Sequence, residues 1–309
     1  MLQLTPNRRV ASILLLLLVS CIWGGSFSMM RIALHGGLSV GEVLILRFTL
    51  GGLLLWAATG RRQRWDRRTV KLGISLGLVM TALLWLQTDG LRFTSTAKSG
   101  FLTSLYVVLT PFVALLFGRS LDRLQWVGAI IAGTGMYKLF AVAEQGWSQV
   151  NRGDLETILC AFCAALHIVM TGRFSRRADV MVLTNVQVWV IGLSSLALSL
   201  AMPGMLNPAR VVAALGGPEV IMAVLYMTLL STVFCFLGQT YVQTQLSSVE
   251  TSTVLSLQPL VALFISHWFL DEHLSRSQLI GGLLVVAATL VVELVPETRR
   301  RLATSAMQA

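Results

Sequence analysis

The chain has 309 residues, of which 55% are hydrophobic and only 12% are charged, with a mean hydropathy of +0.75. A soluble domain carries about 25% charged residues, so this composition excludes an ordinary soluble protein. The net charge of +10 lies in short loops between apolar segments, a distribution that sets membrane orientation and does not indicate nucleic-acid binding.

Ten apolar segments follow one another, each near the length of about 20 residues that a helix needs to cross a bilayer. Their polarity does not alternate as in barrel strands, and helices satisfy backbone groups within one segment. The segments are 10–30, 43–59, 71–89, 100–117, 125–140, 154–171, 184–202, 220–239, 252–269 and 278–295. The sequence therefore predicts an all-α membrane protein with ten transmembrane helices.

The first segment follows Arg8 and Arg9 and has the flanks of a signal peptide. Its apolar run continues through Trp23 and Phe27, however, which is too long for a typical signal sequence. We therefore predict that this segment is an uncleaved helix, so that the first half of the chain contains five segments.

The distribution of basic residues predicts the orientation of the chain. With the N-terminus in the cytoplasm, 16 of the 24 Lys and Arg residues lie on the cytoplasmic side and seven lie outside. Arg47 alone lies within a segment. Cytoplasmic loops carry an excess of Lys and Arg, so both termini are predicted to be cytoplasmic.

Short motifs from the first half recur in the same order in the second half. The pairs are PFVAL at Pro111 and PLVAL at Pro259, Gln-Thr at Gln87 and Gln239, and RLQWVG at Arg123 and RSQLIG at Arg276. Their offsets are 148, 152 and 153 positions, so short insertions separate the halves. We predict two repeats at 1–145 and 146–296, followed by a cytoplasmic tail at 297–309. Five segments per repeat give the second repeat an inverted topology, the arrangement that permits alternating access.

Four stretches of the sequence resemble a known family. They are CIWGGSFSMMRIAL at 21–34, LILRF at 44–48, TSTAKSGFLTSLYVVLTPFVAL at 94–115 and SSVETSTVLSLQPLVALFISHWFLDEHLSRSQLIGGLLVVAA at 247–288. Together they resemble the drug/metabolite transporter superfamily and, within it, the EamA family of bacterial ten-helix permeases. The resemblance implies two inverted five-helix repeats in a bacterial inner membrane and transport of a small metabolite, often outward. The family's Leu-x-Glu pattern is met at Glu272 but is absent from the first half, where Asp122 follows Ser120 and Leu121.

Arg47 is the strongest single candidate for a substrate contact. A charge at helix depth costs about 2.5–3.5 kcal/mol on insertion scales, so Arg47 should face a cavity or a partner. One interpretation is that its guanidinium binds a substrate carboxylate in a bidentate pair. The alternative is a structural interaction with Glu42 or with a backbone carbonyl.

Polar amides supply further candidates. Gln187 occupies roughly the place in segment seven that Arg47 has in segment two, and Gln87 and Gln239 are related by the repeat. An amide in a helix bundle can read polar substrate groups or form an interhelical hydrogen bond worth about 0.6 kcal/mol. We favour a cavity role for Gln87 and a structural role for Gln239, and we include Gln187 among the substrate contacts.

His167, Trp23 and Tyr106 complete the predicted binding set. His167 is near the middle of segment six, and its titration range suits proton coupling, although a neutral buried histidine is the commoner case. Trp23 precedes Gly24 and Gly25, and an aromatic ring there could stack on a substrate or close the cavity.

Proline residues mark predicted kinks within two segments. Pro111 and Pro259 each break the backbone hydrogen-bond ladder within the membrane. Kinks at repeat-related places usually indicate the moving or binding region of a transporter.

These features predict a secondary transporter that exports small polar or amphipathic metabolites, such as amino acids, by alternating access. A channel-like facilitator and a drug-efflux protein are the alternatives. No cluster of catalytic residues and no nucleotide-binding loop is present, and the Cys160–Cys163 pair is read as packing, so no enzyme, cofactor or metal is predicted. The expected partners are a small-molecule substrate and the lipid bilayer, without nucleic acid, and two repeats in one chain are compatible with a monomer.

Overall fold

The computed structural model describes residues 6–59, 65–118 and 151–270, together with parts of 123–135 and 275–291. Within these ranges every regular element is helical and no strand occurs. The predicted segments 125–140 and 278–295 lie largely outside the described residues, and Glu272 and the predicted tail at 297–309 lie wholly outside them.

Eleven helices are found in the three continuous ranges. They are α1 (Pro6–His35), α2 (Val40–Thr59), α3 (Arg67–Gly90), α4 (Thr96–Thr103), α5 (Tyr106–Leu116), α6 (Arg152–Phe174), α7 (Val180–Ala201), α8 (Pro208–Ala214), α9 (Pro218–Val242), α10 (Ser248–Leu255) and α11 (Gln258–Leu270). Among the described residues, six helices are long and apolar enough to cross a membrane, namely α1, α2, α3, α6, α7 and α9.

Side-chain caps fix where several of these helices begin. Asp66 Oδ1 accepts hydrogen bonds from the backbone of Arg68 and Thr69, both at 2.9 Å, at the start of α3. Hydrogen bonds from Thr69 lower the pKa of the Asp66 carboxyl. Capping boxes open α6 and α10, where Asn151 pairs with Asp154 and Ser247 pairs with Glu250. These boxes satisfy amide groups that the first turn of a helix leaves free.

The helices of the two halves interlock. Helix α1 packs against α9, α10 and α11, whereas α6 packs against α3, α4 and α5. Exchanging the two halves converts one set of contacts into the other, as expected for related repeats. Helices α2 and α3 both pack on α7, so the interface between the halves is extensive.

Two glycines allow the contact between α3 and α7. A Cβ added at Gly73 would lie 2.6 Å from Val186 Cβ, and one at Gly77 would lie 2.6 Å from Val190 Cβ. Helix backbones can approach this closely where a small residue such as glycine lies at the contact. Gly73 and Gly77 therefore act in helix packing.

The predicted segments 100–117 and 252–269 are each divided into two helices. The first is interrupted at Ser104–Leu105 and the second at Ser256–Leu257, which are equivalent positions at an offset of 152. Pro259 accounts for the second interruption, because a proline ring clashes with the carbonyl four residues earlier. Pro111 instead lies inside α5, so the departure from helix occurs N-terminal to the kink that the proline alone predicted.

Candidate functional site

A cavity lies at the level of the two helix interruptions, and every helix described above except α7 and α8 contributes to its lining. About 580 Å³ of space free of protein atoms lies within it, a volume that includes its opening to solvent. Its lining consists of Trp23, Ser26, Phe27, Arg47, Met80, Leu83, Leu84, Gln87, Thr103, Tyr106, Ala164, His167, Ile168, Phe236, Gln239, Leu255 and Gln258. Five of the six predicted substrate contacts are in this set.

Arg47 crosses from the first half of the chain to contact the second half. Its Nε donates to Thr232 Oγ1 at 2.6 Å and its Nη2 donates to Ser231 Oγ at 2.8 Å. The side chain is buried, and its Nη1 group forms no hydrogen bond with any described residue. Two hydroxyl groups thus orient the guanidinium without neutralising its charge.

The predicted structural pairing of Arg47 with Glu42 is wrong. Glu42 lies in the first turn of α2, where Arg210 binds it with Nε–Oε2 and Nη2–Oε1 distances of 2.9 and 2.8 Å. The backbone amides of Ser39 and Asn207 also donate to its carboxylate, each at 2.8 Å. These partners satisfy Glu42 near the end of the bundle. The hydrogen bond to Glu42 in turn raises the pKa of Arg210.

The hydroxyl groups that hold Arg47 belong to a π-helical segment within α9. This segment runs from Met227 to Phe234. Trp23 Nε1 donates to the backbone carbonyl of Ser231 at 2.8 Å. π-Helical turns often occur at functional sites because they alter the direction of side chains and carbonyls. Here the segment anchors both Arg47 and Trp23 beside the cavity.

Aromatic rings form the wall next to Arg47. The rings of Trp23 and Phe236 meet edge to face at 5.8 Å, and Phe48 meets Phe236 in the same way at 5.8 Å. The Arg47 Cζ atom lies 4.9 Å from the centre of the Phe48 ring. The site therefore combines one cation with an apolar surface.

Tyr106 and Gln258 occupy equivalent places after the two helix interruptions. They are 152 positions apart, and both line the cavity. The Tyr106 hydroxyl is buried and has no hydrogen-bond partner among the described residues, so it is available to a polar ligand. Sequence reasoning missed Gln258, although the offset between Gln87 and Gln239 would have located it from Tyr106.

Gln87 and Gln239 both line the cavity, on α3 and α9. Gln87 Nε2 donates to Thr103 Oγ1 at 3.3 Å. The interhelical hydrogen bond predicted for Gln239 is not formed with any described residue. Gln239 lines the cavity, as Gln87 does.

Gln187 lies behind His167 and not in the cavity lining. The His167 Nε2 and Gln187 Oε1 atoms are 3.1 Å apart, and both side chains are buried. The prediction that Gln187 contacts a ligand directly is therefore corrected. Gln187 orients the His167 ring, and the ring lines the cavity.

The described residues of the cavity lining carry formal charge of positive sign only. Arg47 is its permanently charged residue, and no Asp or Glu is present among the lining residues that the structure describes. A buried cation without a carboxylate partner has a strong electrostatic preference for an anionic group. The arrangement can thus bind a small amphipathic anion or zwitterion.

Comparison with known proteins decides the family. The model of the "EamA-like transporter family" matches residues 10–141 and 151–294, which together make up most of the chain. The chain belongs to the EamA-like transporter family. The family resemblance seen in the sequence is confirmed.

Other relatives of this EamA-like protein are also named as transporters. An "Uncharacterized transporter" of Archaeoglobus fulgidus is 27% identical over 93% of this chain and 87% of that protein. "Uncharacterized transporter YdfC" of Bacillus subtilis is 22% identical over 86% of this chain and 85% of that protein. A solved structure described as "Crystal structure of protein" has a TM-score of 0.70 with 19% identity, and covers 95% of this chain and 99% of that chain. This last likeness concerns the fold.

Family membership and the apolar helices together establish a multi-pass membrane transporter. They point to a transporter and not to an enzyme.

Proposed function

We propose that this EamA-like protein is a secondary transporter that exports a small amphipathic carboxylate, such as an amino acid, across the bacterial inner membrane. Its ten helices would form two inverted five-helix repeats with both termini in the cytoplasm, and a monomer would suffice. One observation carries the proposal. A buried guanidinium, that of Arg47, faces a cavity whose described lining contains no carboxylate.

The geometry of Arg47 favours a carboxylate ligand. Ser231 and Thr232 occupy Nη2 and Nε, while Nη1 has no partner among the described residues. A planar carboxylate can accept hydrogen bonds from this guanidinium, and such charge-assisted bonds are about twice as strong as neutral ones. The hydroxyl groups would hold the fork in place before the ligand arrives.

The rest of the lining fits the remainder of an amino acid. Phe27, Met80 and Phe236 offer an apolar surface for a side chain. The amide oxygens of Gln87 and Gln239 and the Tyr106 hydroxyl can accept hydrogen bonds from an ammonium group. A cationic drug would lack a counter-charge in this lining, so an anionic or zwitterionic compound is favoured over one that carries only positive charge.

A binding experiment separates these ligand classes. Purified protein in lipid nanodiscs would be heated with a panel of apolar amino acids, with the amines that lack only their carboxylate, and with cationic drugs. We expect stabilisation by one or more amino acids and none by the corresponding amines. The Arg47→Gln variant should lose this stabilisation, whereas Lys71→Gln, which removes a charge from the exposed surface of α3, should retain it.

Two results would contradict the proposal. Stabilisation by the amine or a cationic drug would favour drug efflux. Stabilisation by an amino acid that is equal in the Arg47→Gln variant would show that Arg47 has only a structural role, and would move the search to Gln87, His167 and Trp23.

A further inference from the structure

Two ion pairs lie at opposite ends of the bundle. Lys98 Nζ is 2.6 Å from Asp154 Oδ2, and Arg9 Nη2 is 2.9 Å from Glu250 Oε1. The Arg9 pair lies at the face where α1 begins, here called the N-terminal face. The Lys98 pair lies at the opposite face, where α3 ends and α6 begins. Each pair joins a short helix, α4 or α10, to a long one, α6 or α1.

One member of each pair occupies an equivalent place in the repeat. Lys98 and Glu250 are 152 positions apart (250 − 98), the same offset that relates the two helix interruptions. Their charges are opposite, and so are the charges of their partners. The feature common to both ends is therefore the ion pair and not the residue types that form it.

A second pair of contacts follows the same pattern. Arg31 Nη1 donates to the carbonyl of Thr94 at 3.1 Å, and Arg176 Nη2 donates to the carbonyl of Leu246 at 2.8 Å. Thr94 and Leu246 are again 152 positions apart and precede α4 and α10. Arg31 belongs to α1, whereas Arg176 lies two residues beyond the end of α6, so the segment before each short helix is held by a side chain from α1 or from the connection that follows α6.

The short helices lie between the membrane faces and the cavity. Helix α4 runs from the opposite face to Thr103, and α10 runs from the N-terminal face to Leu255; both end residues line the cavity. Eight helical residues extend about 12 Å. Each short helix then meets a two-residue interruption, a suitable hinge for rigid movement. Moving α4 would open the cavity to the opposite face, and moving α10 would open it to the N-terminal face.

We propose that the Lys98–Asp154 and Arg9–Glu250 ion pairs are the two closing contacts of the transport cycle, each sealing the cavity from one face. This inference rests on the proposed alternating-access function. Both pairs are formed in this structure. During transport the two pairs break in turn, and one stays formed while the other is open.

The hydrogen bonds around the two carboxylates allow each ion pair to open and form again. Asp154 also accepts hydrogen bonds from Thr94 Oγ1 and the Asn151 amide, at 3.0 and 3.1 Å. Glu250 accepts one from the Ser247 amide at 2.7 Å. Separating a buried pair is costly when it leaves a carboxylate without partners. Here each carboxylate belongs to a capping box of its own helix, so it keeps hydrogen bonds when the cation departs.

Cysteine accessibility from each face tests this inference without a substrate. The four native cysteines would be replaced by serine, and Thr103→Cys would place one thiol in the cavity. Two separate preparations of sealed vesicles, one right-side-out and one inside-out, would be treated with a membrane-impermeant maleimide. Each preparation exposes only one face of the protein to the reagent. Lys98→Gln should increase labelling several-fold from the opposite face only, and Arg9→Gln should increase it from the N-terminal face only. These variants remove the cations and leave both capping boxes intact.

Three controls separate closing contacts from general stability. Lys98→Arg and Arg9→Lys keep the charges and should label as the parent does. Glu42→Gln breaks another ion pair at the opposite face, with Arg210, and should not change labelling from either face. Monodisperse elution of each variant checks folding.

The inference is overturned if Lys98→Gln and Arg9→Gln leave labelling unchanged, or if either variant increases it equally from both faces. The labelling experiment contains no ligand, so its result does not depend on whether Arg47 binds a carboxylate. Conversely, unchanged labelling would overturn the closing role alone.

Discussion

The first and second halves of the chain build the same interrupted helix with different side chains. The interruption at Ser104–Leu105 is followed by Tyr106, and the one at Ser256–Leu257 is followed by Gln258. The interruption of the helix is common to both halves. The side chain that then lines the cavity is a phenol in the first half and an amide in the second.

The same contrast holds deeper in the membrane. Arg47 of the first half faces the cavity, while Gln187, at roughly the matching place in the second half, is bound to His167 behind the lining. A pair of similar backbones can provide two equivalent exits. Divergent side chains provide a cavity that recognises one orientation of an asymmetric ligand. The duplicated backbone and the asymmetric side chains of the cavity are thus separate properties of the molecule.

The largest effect should come from replacing Arg47. We expect Arg47→Gln to weaken binding of a carboxylate ligand by about 10- to 100-fold, since hydrogen bonds to charged groups contribute about 1.5–3 kcal/mol. Gln187→Ala should weaken it far less, because Gln187 acts through His167. Titration calorimetry with the stabilising amino acid would measure both. Equal losses in the two variants would contradict the asymmetry between the halves.

A second prediction concerns the interface between the halves. Gly77→Ala adds a Cβ that would lie 2.6 Å from Val190 Cβ, and overpacking of this kind costs typically 1–3 kcal/mol. The free energy of unfolding should fall by that amount in denaturant titrations. Gly133→Ala is the control, because no residue that the structure describes lies within 4 Å of its added Cβ. If Gly77→Ala were as stable as Gly133→Ala, α3 and α7 would not pack as closely as described.

A third prediction compares the caps of the two short helices. Ser95 Oγ accepts from the Lys98 amide and Ser247 Oγ accepts from the Glu250 amide, each at 3.1 Å. Replacing either serine by alanine should cost about 1 kcal/mol of unfolding free energy. Similar losses of thermal stability in Ser95→Ala and Ser247→Ala would support equivalent helix starts. A loss in one variant only would argue against that equivalence.

The smallest effect is expected at the repeat-related amides. Gln87→Ala removes a hydrogen bond to Thr103, whereas Gln239→Ala removes none to a described residue. Gln87→Ala should therefore lower the free energy of unfolding by about 0.6 kcal/mol and Gln239→Ala by less, while both should weaken ligand binding. A larger loss of stability in Gln239→Ala would restore the structural role first predicted for it.

Much of the helical fold could be predicted from sequence because hydrophobic length and proline position are local signals. The predicted segments 10–30 and 184–202 lie within or close to α1 and α7. The interruption before Pro111 was not predicted at its true place, because it does not follow from the proline ring. The only sequence signal for this interruption is the 152-position offset from Ser104 to Ser256, where Pro259 explains the interruption.

The types of the site residues could be predicted from the sequence, but their contact partners could not. A lone arginine in an apolar segment requires a cavity or a counter-group, and Arg47 does line the cavity. Glu42 seemed its natural partner at five positions' distance, yet the contacts of Arg47 are Ser231 and Thr232, more than 180 positions away. Sequence periodicity carries no information on such pairings. The π-helical segment and the Lys98–Asp154 contact were missed for the same reason.

Substrate counterflow in proteoliposomes measures whether the protein carries a carboxylate by alternating access. Vesicles containing the purified protein would be loaded with the unlabelled amino acid that stabilises it and given a trace of the labelled compound outside. We expect transient accumulation of label that depends on the internal amino acid. This accumulation should be lost in Arg47→Gln and should not be supported by the matching amine. Uptake that is indifferent to the internal amino acid, or undiminished in Arg47→Gln, would contradict a carboxylate carrier that works by alternating access.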